Sequence, residues 1–109
     1  MINLDWDKVS GLIPAIIQDH ETLEVLMLGY MNEEALKISQ SSGFATFYSR
    51  TKQRLWTKGE TSGNTLTIHK IIHDCDKDTL LILAKNSGHT CHLKNNSSFS
   101  TSPSPTNFI

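Results

Sequence analysis

The sequence has 109 residues, the size of one ordinary domain, with ten basic and eleven acidic side chains and a formal net charge of −1. This balance provides no basic field for DNA or RNA. No apolar run approaches the about 20 residues that cross a membrane, and no basic start is followed by an apolar block. These features predict a small cytoplasmic protein whose two cysteines are reduced thiols.

The first predicted elements are two short strands at residues 12–17 and 23–30, separated by a polar turn. A helix is predicted over the stretch MNEEALKISQSSG. Asn32 can cap the start of this helix, and Gly43 suits its exit. The helix has only a partial apolar face, which predicts that it lies against a sheet.

Four further strands are predicted at residues 44–49, 54–58, 65–72 and 79–84. The last of these is continuously apolar, as expected for a strand that is buried on both faces. From residue 95 the composition is rich in Ser, Pro and Asn. The sequence therefore predicts one mainly β domain of the α+β class over residues 1–99, with a poorly ordered tail at residues 100–109.

Three carboxylates surround one cysteine in the stretch HDCDKD, at Asp74, Asp76 and Asp78. If this stretch is extended, the three acids point one way and Cys75 points the other. Carboxylates that share a face repel one another unless they are protonated, well solvated or bound to a cation. Mg²⁺ suits such a place, since it takes hard oxygen ligands and keeps several waters. A solvated acidic turn is the competing interpretation.

The two thiols, Cys75 and Cys91, are separated by fifteen residues, and His92 follows the second. Zinc is bound by thiolates and imidazoles in a tetrahedron, and a catalytic zinc site leaves one position for water. The spacing is not that of a zinc finger. Buried, inert thiols are therefore the competing interpretation of this pair.

The stretch SRTKQRLWTKGETSGN places Arg50, Lys52 and Arg54 at every second residue, with Lys58 on the same parity. In a strand these cations share a face, and they precede a turn of small residues: Thr61, Ser62, Gly63 and Asn64. Cations, turn amides and hydroxyls together can hold phosphates. The alternative is an ordinary solvated strand face. Trp56, on the same parity, either stacks on a base or packs in the core or an interface.

Together, four segments resemble the phosphoribosyl-AMP cyclohydrolase family of histidine biosynthesis: VLMLGYMNEEAL, FYSRTKQRLWTKGETSGN, DCDKDTLLILA and the pair CH. The resemblance covers residues 4–99. It implies a small pseudo-barrel-like sheet capped by a helix, in a homodimer whose metal sites take ligands from both chains. Family members use Zn²⁺ and Mg²⁺ to hydrolyse the N1–C6 bond of the adenine ring in phosphoribosyl-AMP.

The family's site residues correspond to positions in this chain one by one. The three aspartates of HDCDKD match magnesium ligands, and Cys75 and Cys91 match two zinc thiolates. His92 matches a histidine suited to proton transfer. The block at residues 50–64 matches the region that is expected to receive the doubly phosphorylated substrate.

One position departs from the family pattern. Ser98 stands where the family has a third cysteine directly before a phenylalanine. A serine hydroxyl is hard to deprotonate and binds zinc more weakly than a thiolate does. An engineered substitution, recruitment of another ligand such as His92, and a decayed site are the open explanations. A non-catalytic nucleotide- or metal-binding homologue is therefore the alternative function.

Overall fold

The computed structural model describes residues 3–88, 90 and 97–99, and the expected tail at residues 100–109 lies outside them. The element order is β1 (Ile13–Asp19), β2 (Val25–Met31), α1 (Glu33–Ser42), β3 (Thr46–Ser49), β4 (Arg54–Thr57), β5 (Leu66–His73) and β6 (Leu80–Asn86). Each of these elements was predicted from the sequence, and the bounds differ by no more than two residues. The expected α+β class, mainly β with one helix, is confirmed.

Four strands form one sheet in the order β2-β1-β6-β5. Strand β1 runs antiparallel to β2 and parallel to β6, while β5 and β6 are antiparallel. Alternate side chains of the two central strands are buried and form much of the core: Ile13, Ala15, Ile17, Leu80, Ile82 and Ala84. The expectation that the last strand is buried on both faces is wrong in part, because Leu81 and Leu83 on its other face are only half-buried.

Strands β3 and β4 form a separate antiparallel pair, and the segment before β3 joins it to the larger sheet. The Ala45 amide donates to the Leu66 carbonyl at 3.0 Å, and the Ala45 carbonyl accepts from the Lys58 amide at 3.0 Å. The Ile68 amide donates to the Gly43 carbonyl at 2.8 Å. In the described part of the chain the sheets are linked in this way but do not close into a barrel, so the pseudo-barrel and the homodimer stay predictions.

Helix α1 begins and ends as its sequence predicts. The Asn32 side chain accepts a hydrogen bond from the Ala35 amide at 2.8 Å, and Gly43 takes a left-handed conformation with φ 81°. The helix is fastened to β3 by buried Ser39, whose Oγ accepts from the Thr46 amide at 2.9 Å. This polar contact places the helix over the start of the β3–β4 hairpin.

Strand β2 packs closely on β3 at one glycine. A Cβ added to Gly29 would lie 2.6 Å from Cδ1 of the fully buried Phe47 ring. The ring therefore occupies the space that any side chain at position 29 would need. This contact, together with the helix, fixes where the β3–β4 hairpin lies on the larger sheet.

In the described residues no helix has the length and apolar character needed to cross a membrane.

Candidate functional site

The three aspartates of HDCDKD lie in the turn between β5 and β6, not in an extended segment. Each of the three offers a carboxylate oxygen, and these oxygens all lie within 4.8 Å of one another. Lys77 within the turn has φ 60°, a left-handed conformation that reverses the chain. The expected convergence of the acids is present, but its stated cause, strand alternation, is wrong: the turn brings the acids together.

The turn at residues 74–79, called the acid turn below, is stabilised by hydrogen bonds from its backbone amides. The Asp74 carboxylate accepts hydrogen bonds from the amides of Asp78 at 3.0 Å and Thr79 at 3.2 Å. The Asp74 amide in turn donates to the Thr79 carbonyl at 3.1 Å. One carboxylate therefore braces the turn from inside. The Asp76 carboxylate is 65% exposed and faces solvent.

A lysine near the N-terminus contacts the acid turn. Lys8 Nζ is 2.8 Å from Asp78 Oδ2 and 4.0 Å from Asp76 Oδ2. Its hydrogen bond to Asp78 raises the pKa of Lys8 and lowers the pKa of Asp78. Sequence reasoning missed Lys8, because seventy positions separate it from Asp78 and no local pattern links them.

The donor set of the acid turn fits a hard divalent cation. Three converging carboxylates, one of them largely exposed, match the preference of Mg²⁺ for oxygen ligands and retained waters. Cys75 lies in the same turn as an exposed, free thiol. Cys91 and His92, the other residues expected at zinc, lie outside the described residues. Ser98 is exposed beside β2, where its amide donates to the Leu26 carbonyl at 2.7 Å.

A cavity of about 420 Å³ lies between the β3–β4 hairpin and the turn that follows it. The structure brings six of the residues predicted to contact substrate into its wall: Lys52, Arg54, Trp56, Lys58, Thr61 and Ser62. Ser49, Thr57, Gly59 and Glu60 complete the lining. The predicted group of cations and small polar residues therefore forms one concave surface.

Three predicted residues are not in the cavity wall: Arg50, Gly63 and Asn64. Arg50 and Lys52 belong to the hairpin turn, so the expected row of strand cations is wrong for these two. The Arg50 guanidinium lies 4.2 Å from the centre of the Tyr30 ring, a cation–π contact. Asn64 packs on Gly88, where any Cβ would clash with the Asn64 side chain.

Glu60 organises the cationic wall, and sequence reasoning missed it. Glu60 Oε1 accepts a hydrogen bond from Arg54 Nη2 at 2.7 Å, and Oε2 accepts one from the Thr57 amide at 3.0 Å. These bonds, the backbone one first, lower the pKa of Glu60. An acid six positions after Arg54, in a turn next to its strand, was the signal available in the sequence.

Of the two alternatives that the sequence left open for Trp56, the structure confirms packing against the core, and stacking on a base stays a prediction. The Trp56 ring lies 5.1 Å from the Phe47 ring, centre to centre, and it packs against the core while remaining half-buried. The side chain also lines the cavity. A rigid aromatic wall therefore stands beside the cations, a composition that suits a ligand with phosphates and a flat ring.

Comparison with known proteins identifies the family. The phosphoribosyl-AMP cyclohydrolase family model matches residues 27–100, which is more than half of the chain. The chain is 56% identical over 109 residues to the histidine biosynthesis bifunctional protein HisIE of Buchnera aphidicola, covering 100% of this chain and 51% of the relative. It is 60% identical over 96 residues to the protein of that name from Escherichia coli K12, covering 88% of this chain and 47% of the relative.

A third relative of that name, from Yersinia pestis, is 57% identical over 106 residues, with 97% of this chain and 52% of the relative covered. The chain thus spans about half the length of these relatives. The matched residues include the β3–β4 hairpin, the turn after β4 that lines the cavity, and the acid turn. The chain belongs to the phosphoribosyl-AMP cyclohydrolase family.

Proposed function

We propose that this chain hydrolyses the N1–C6 bond of the adenine ring of phosphoribosyl-AMP, a step of histidine biosynthesis. One observation carries the proposal: the segments typical of the family form a cation-lined cavity of about 420 Å³ and a separate cluster of three carboxylates. The first suits the phosphates of the substrate and the second suits a divalent cation. The names of the relatives, which refer to histidine biosynthesis, support the pathway.

The cavity would bind the substrate through its phosphates. Lys52 and Lys58 provide mobile charges, whereas Glu60 holds the Arg54 guanidinium in one place. The hydroxyls of Thr61 and Ser62 add short donors, and Trp56 forms the apolar wall. Three further residues, outside the cavity, would shape the loops that border it: Arg50, Gly63 and Asn64.

Two metals are part of the proposal. Mg²⁺ would be held by the three aspartates of the acid turn, whose oxygens converge. Zn²⁺ would be held by Cys75 and Cys91 drawn from two chains, with Ser98 or His92 near the third position. When bound, zinc lowers the pKa of water to about 7. Cys75 is exposed, as a ligand shared between chains requires.

The proposed reaction consumes one water and opens the ring without releasing a leaving group. The ribosyl group on N1 makes the ring electron-poor, so water adds to C6. The N1–C6 bond then breaks, and C6 becomes the carbonyl of a carboxamide. Water loses two protons in all: one goes to the exocyclic nitrogen of the neutral imino ring, which becomes the amide NH₂, and the other is taken up at N1. We assign this proton transfer to His92. Phosphate contacts in the cavity would hold the ring in place during attack, so part of their binding energy would lower the barrier.

We further propose a homodimer built on a pseudo-barrel, because two thiolates in one chain are too few for a catalytic zinc site. A doubly phosphorylated substrate does not cross membranes, so we place the reaction in the cytoplasm. Light scattering on a fully active preparation should give the mass of two chains. A mass of one chain in such a preparation contradicts the shared site.

The activity is tested with purified protein, Zn²⁺, Mg²⁺ and phosphoribosyl-AMP. We expect the absorbance of the intact substrate ring to fall, and the rate to depend on both metals. Calorimetry with phosphoribosyl-AMP runs in parallel. Binding without turnover in protein that contains zinc would support the non-catalytic homologue instead. If the protein neither binds nor turns over phosphoribosyl-AMP, both proposed functions are contradicted.

A further inference from the structure

The N-terminal turn is fastened to the acid turn. The Asp5 amide donates to the Lys77 carbonyl at 2.8 Å, and the Asp5 carboxylate accepts from the Lys8 amide at 3.2 Å. These bonds place the Lys8 ammonium 2.8 Å from Asp78 Oδ2 and 4.0 Å from Asp76 Oδ2. A cation belonging to the chain therefore lies at two of the three carboxylates that converge there.

We propose that Lys8 is a tethered counter-ion of the acid turn: it neutralises the carboxylates when no metal is bound, and a divalent cation must displace it. Lys8 would thereby set the affinity of the turn for Mg²⁺. This inference rests on the proposed magnesium role of the three aspartates and adds a residue that determines metal affinity.

Distance and charge explain the competition. Mg²⁺ binds oxygens at 2.0–2.1 Å and demands octahedral geometry. An ammonium in hydrogen-bond contact with Asp78 Oδ2 would lie inside or against that shell and repel the cation. Displacement is feasible, because the lysine side chain is 48% exposed and its flexible stem can swing into water. The exposed ion pair that is lost is a weak one, so Lys8 lowers metal affinity without preventing binding.

The same chain provides a matched control. Lys77 lies in the acid turn itself, yet forms no ion pair with any carboxylate among the described residues. Lys8→Met and Lys77→Met each remove one positive charge near the aspartates. Only the first removes a cation in contact with them. Lys8→Arg keeps the charge and checks that a long side chain at this position preserves the fold.

The test is calorimetric titration of Mg²⁺ into metal-free protein at 0.15 and 0.5 M salt. We expect Lys8→Met to bind Mg²⁺ about fivefold more tightly, an upper value for a lost exposed ion pair. Because salt screens distant charges more than contacts, this gain should persist at 0.5 M, whereas any gain in Lys77→Met should shrink. Lys8→Arg should bind as the parent does.

Thermal unfolding supplies a second readout. In chelator, Lys8→Met should have a lower Tm than the parent, because the carboxylates then repel one another without a counter-ion. Added Mg²⁺ should raise its Tm by more than it raises the parent's, by mass action. Unchanged or weaker Mg²⁺ binding in Lys8→Met, or an equal gain in Lys77→Met at high salt, would overturn the inference. If no variant binds Mg²⁺, the magnesium role of the acid turn fails as well.

Discussion

Glu60 holds Arg54 at the wall of the cavity by a hydrogen bond of 2.7 Å between Oε1 and Nη2. Its other oxygen binds the Thr57 amide, so one carboxylate connects strand β4, the turn that follows it and the guanidinium. An arginine held in this way loses less side-chain freedom when it binds a phosphate.

Arg54→Ala should raise KM for phosphoribosyl-AMP about tenfold, since a hydrogen bond to a charged group contributes about 1.5–3 kcal/mol. Glu60→Gln should raise KM less, because Gln can still accept from the Thr57 amide but cannot pair with Arg54. Steady-state kinetics measures both. Lys70→Ala, at an exposed position of strand β5, is the control and should leave KM unchanged. Unaltered kinetics in Arg54→Ala would mean that this wall is only solvated.

Asp76→Asn should weaken Mg²⁺ binding about tenfold while the fold survives. The change removes a full charge from a largely exposed carboxylate and barely alters its shape. Calorimetry gives the affinity and circular dichroism checks the fold. Glu34→Gln, in the first turn of helix α1, removes an acid elsewhere and should not alter the Mg²⁺ response. A parental response in Asp76→Asn would exclude this residue as a ligand.

Ser98→Cys should retain zinc better against a chelator and raise turnover. The change would place a thiolate at the position proposed for the third zinc ligand, at nearly constant volume, and the exposed side chain has room for sulfur. The thiol must lose a proton to bind zinc, so the gain in affinity should grow as pH rises. Ser41→Cys, at an exposed position on helix α1, controls for a thiol elsewhere. If parent and variant retain zinc equally well, another residue already fills the position, and His92 is the first candidate.

Gly29→Ala should destabilise the protein by about 1–3 kcal/mol, the usual cost of forcing an extra methyl group into a packed core. The added Cβ would meet the Phe47 ring at 2.6 Å, so the hairpin would have to shift. Urea unfolding measures the change. Phe47→Leu removes the ring atoms concerned, and the double variant should therefore lose less than the sum of the two single variants. Strict additivity would show that the two residues do not compete for space.

Asp19→Asn should be less stable by about 1 kcal/mol at neutral pH, because its acceptor loses the charge that strengthens hydrogen bonds. Asp19 is buried and accepts from the amides of Thr22 at 2.9 Å and Glu21 at 2.8 Å. These bonds, that from Thr22 first, lower the pKa of Asp19 below its ordinary 3.8.

A lowered carboxyl pKa sets the direction of the pH effect. The unfolded chain binds this proton more readily, so Asp19 stabilises the fold above about pH 4. That contribution is lost as the pH falls from there through the pKa of the folded protein. The difference in unfolding free energy between the parent and Asp19→Asn should therefore narrow below pH 4. A constant difference from pH 7 to pH 3 would contradict this role.

Much of the local structure was determined by the sequence alone. The alternation in Ile13–Asp19 predicts a strand with one buried face, and the structure buries every second residue there. Asn32 and Gly43 predict the two ends of α1, because capping depends on groups within a few residues. The family segments likewise pointed to the residues of the cavity and of the acid turn, because most of the residues in each group are close together in the sequence.

Relationships across the chain were decided only by the tertiary structure. The parallel pairing of β1 with β6, the contact of Lys8 with Asp78 and the fit of Phe47 over Gly29 all join residues that are distant in sequence. The acids of HDCDKD converge because a turn reverses the chain, whereas strand alternation from the sequence predicted the same grouping for the wrong reason. Local propensity follows from neighbouring residues, but register, close packing and ion pairs between distant segments depend on how those segments meet in the folded chain.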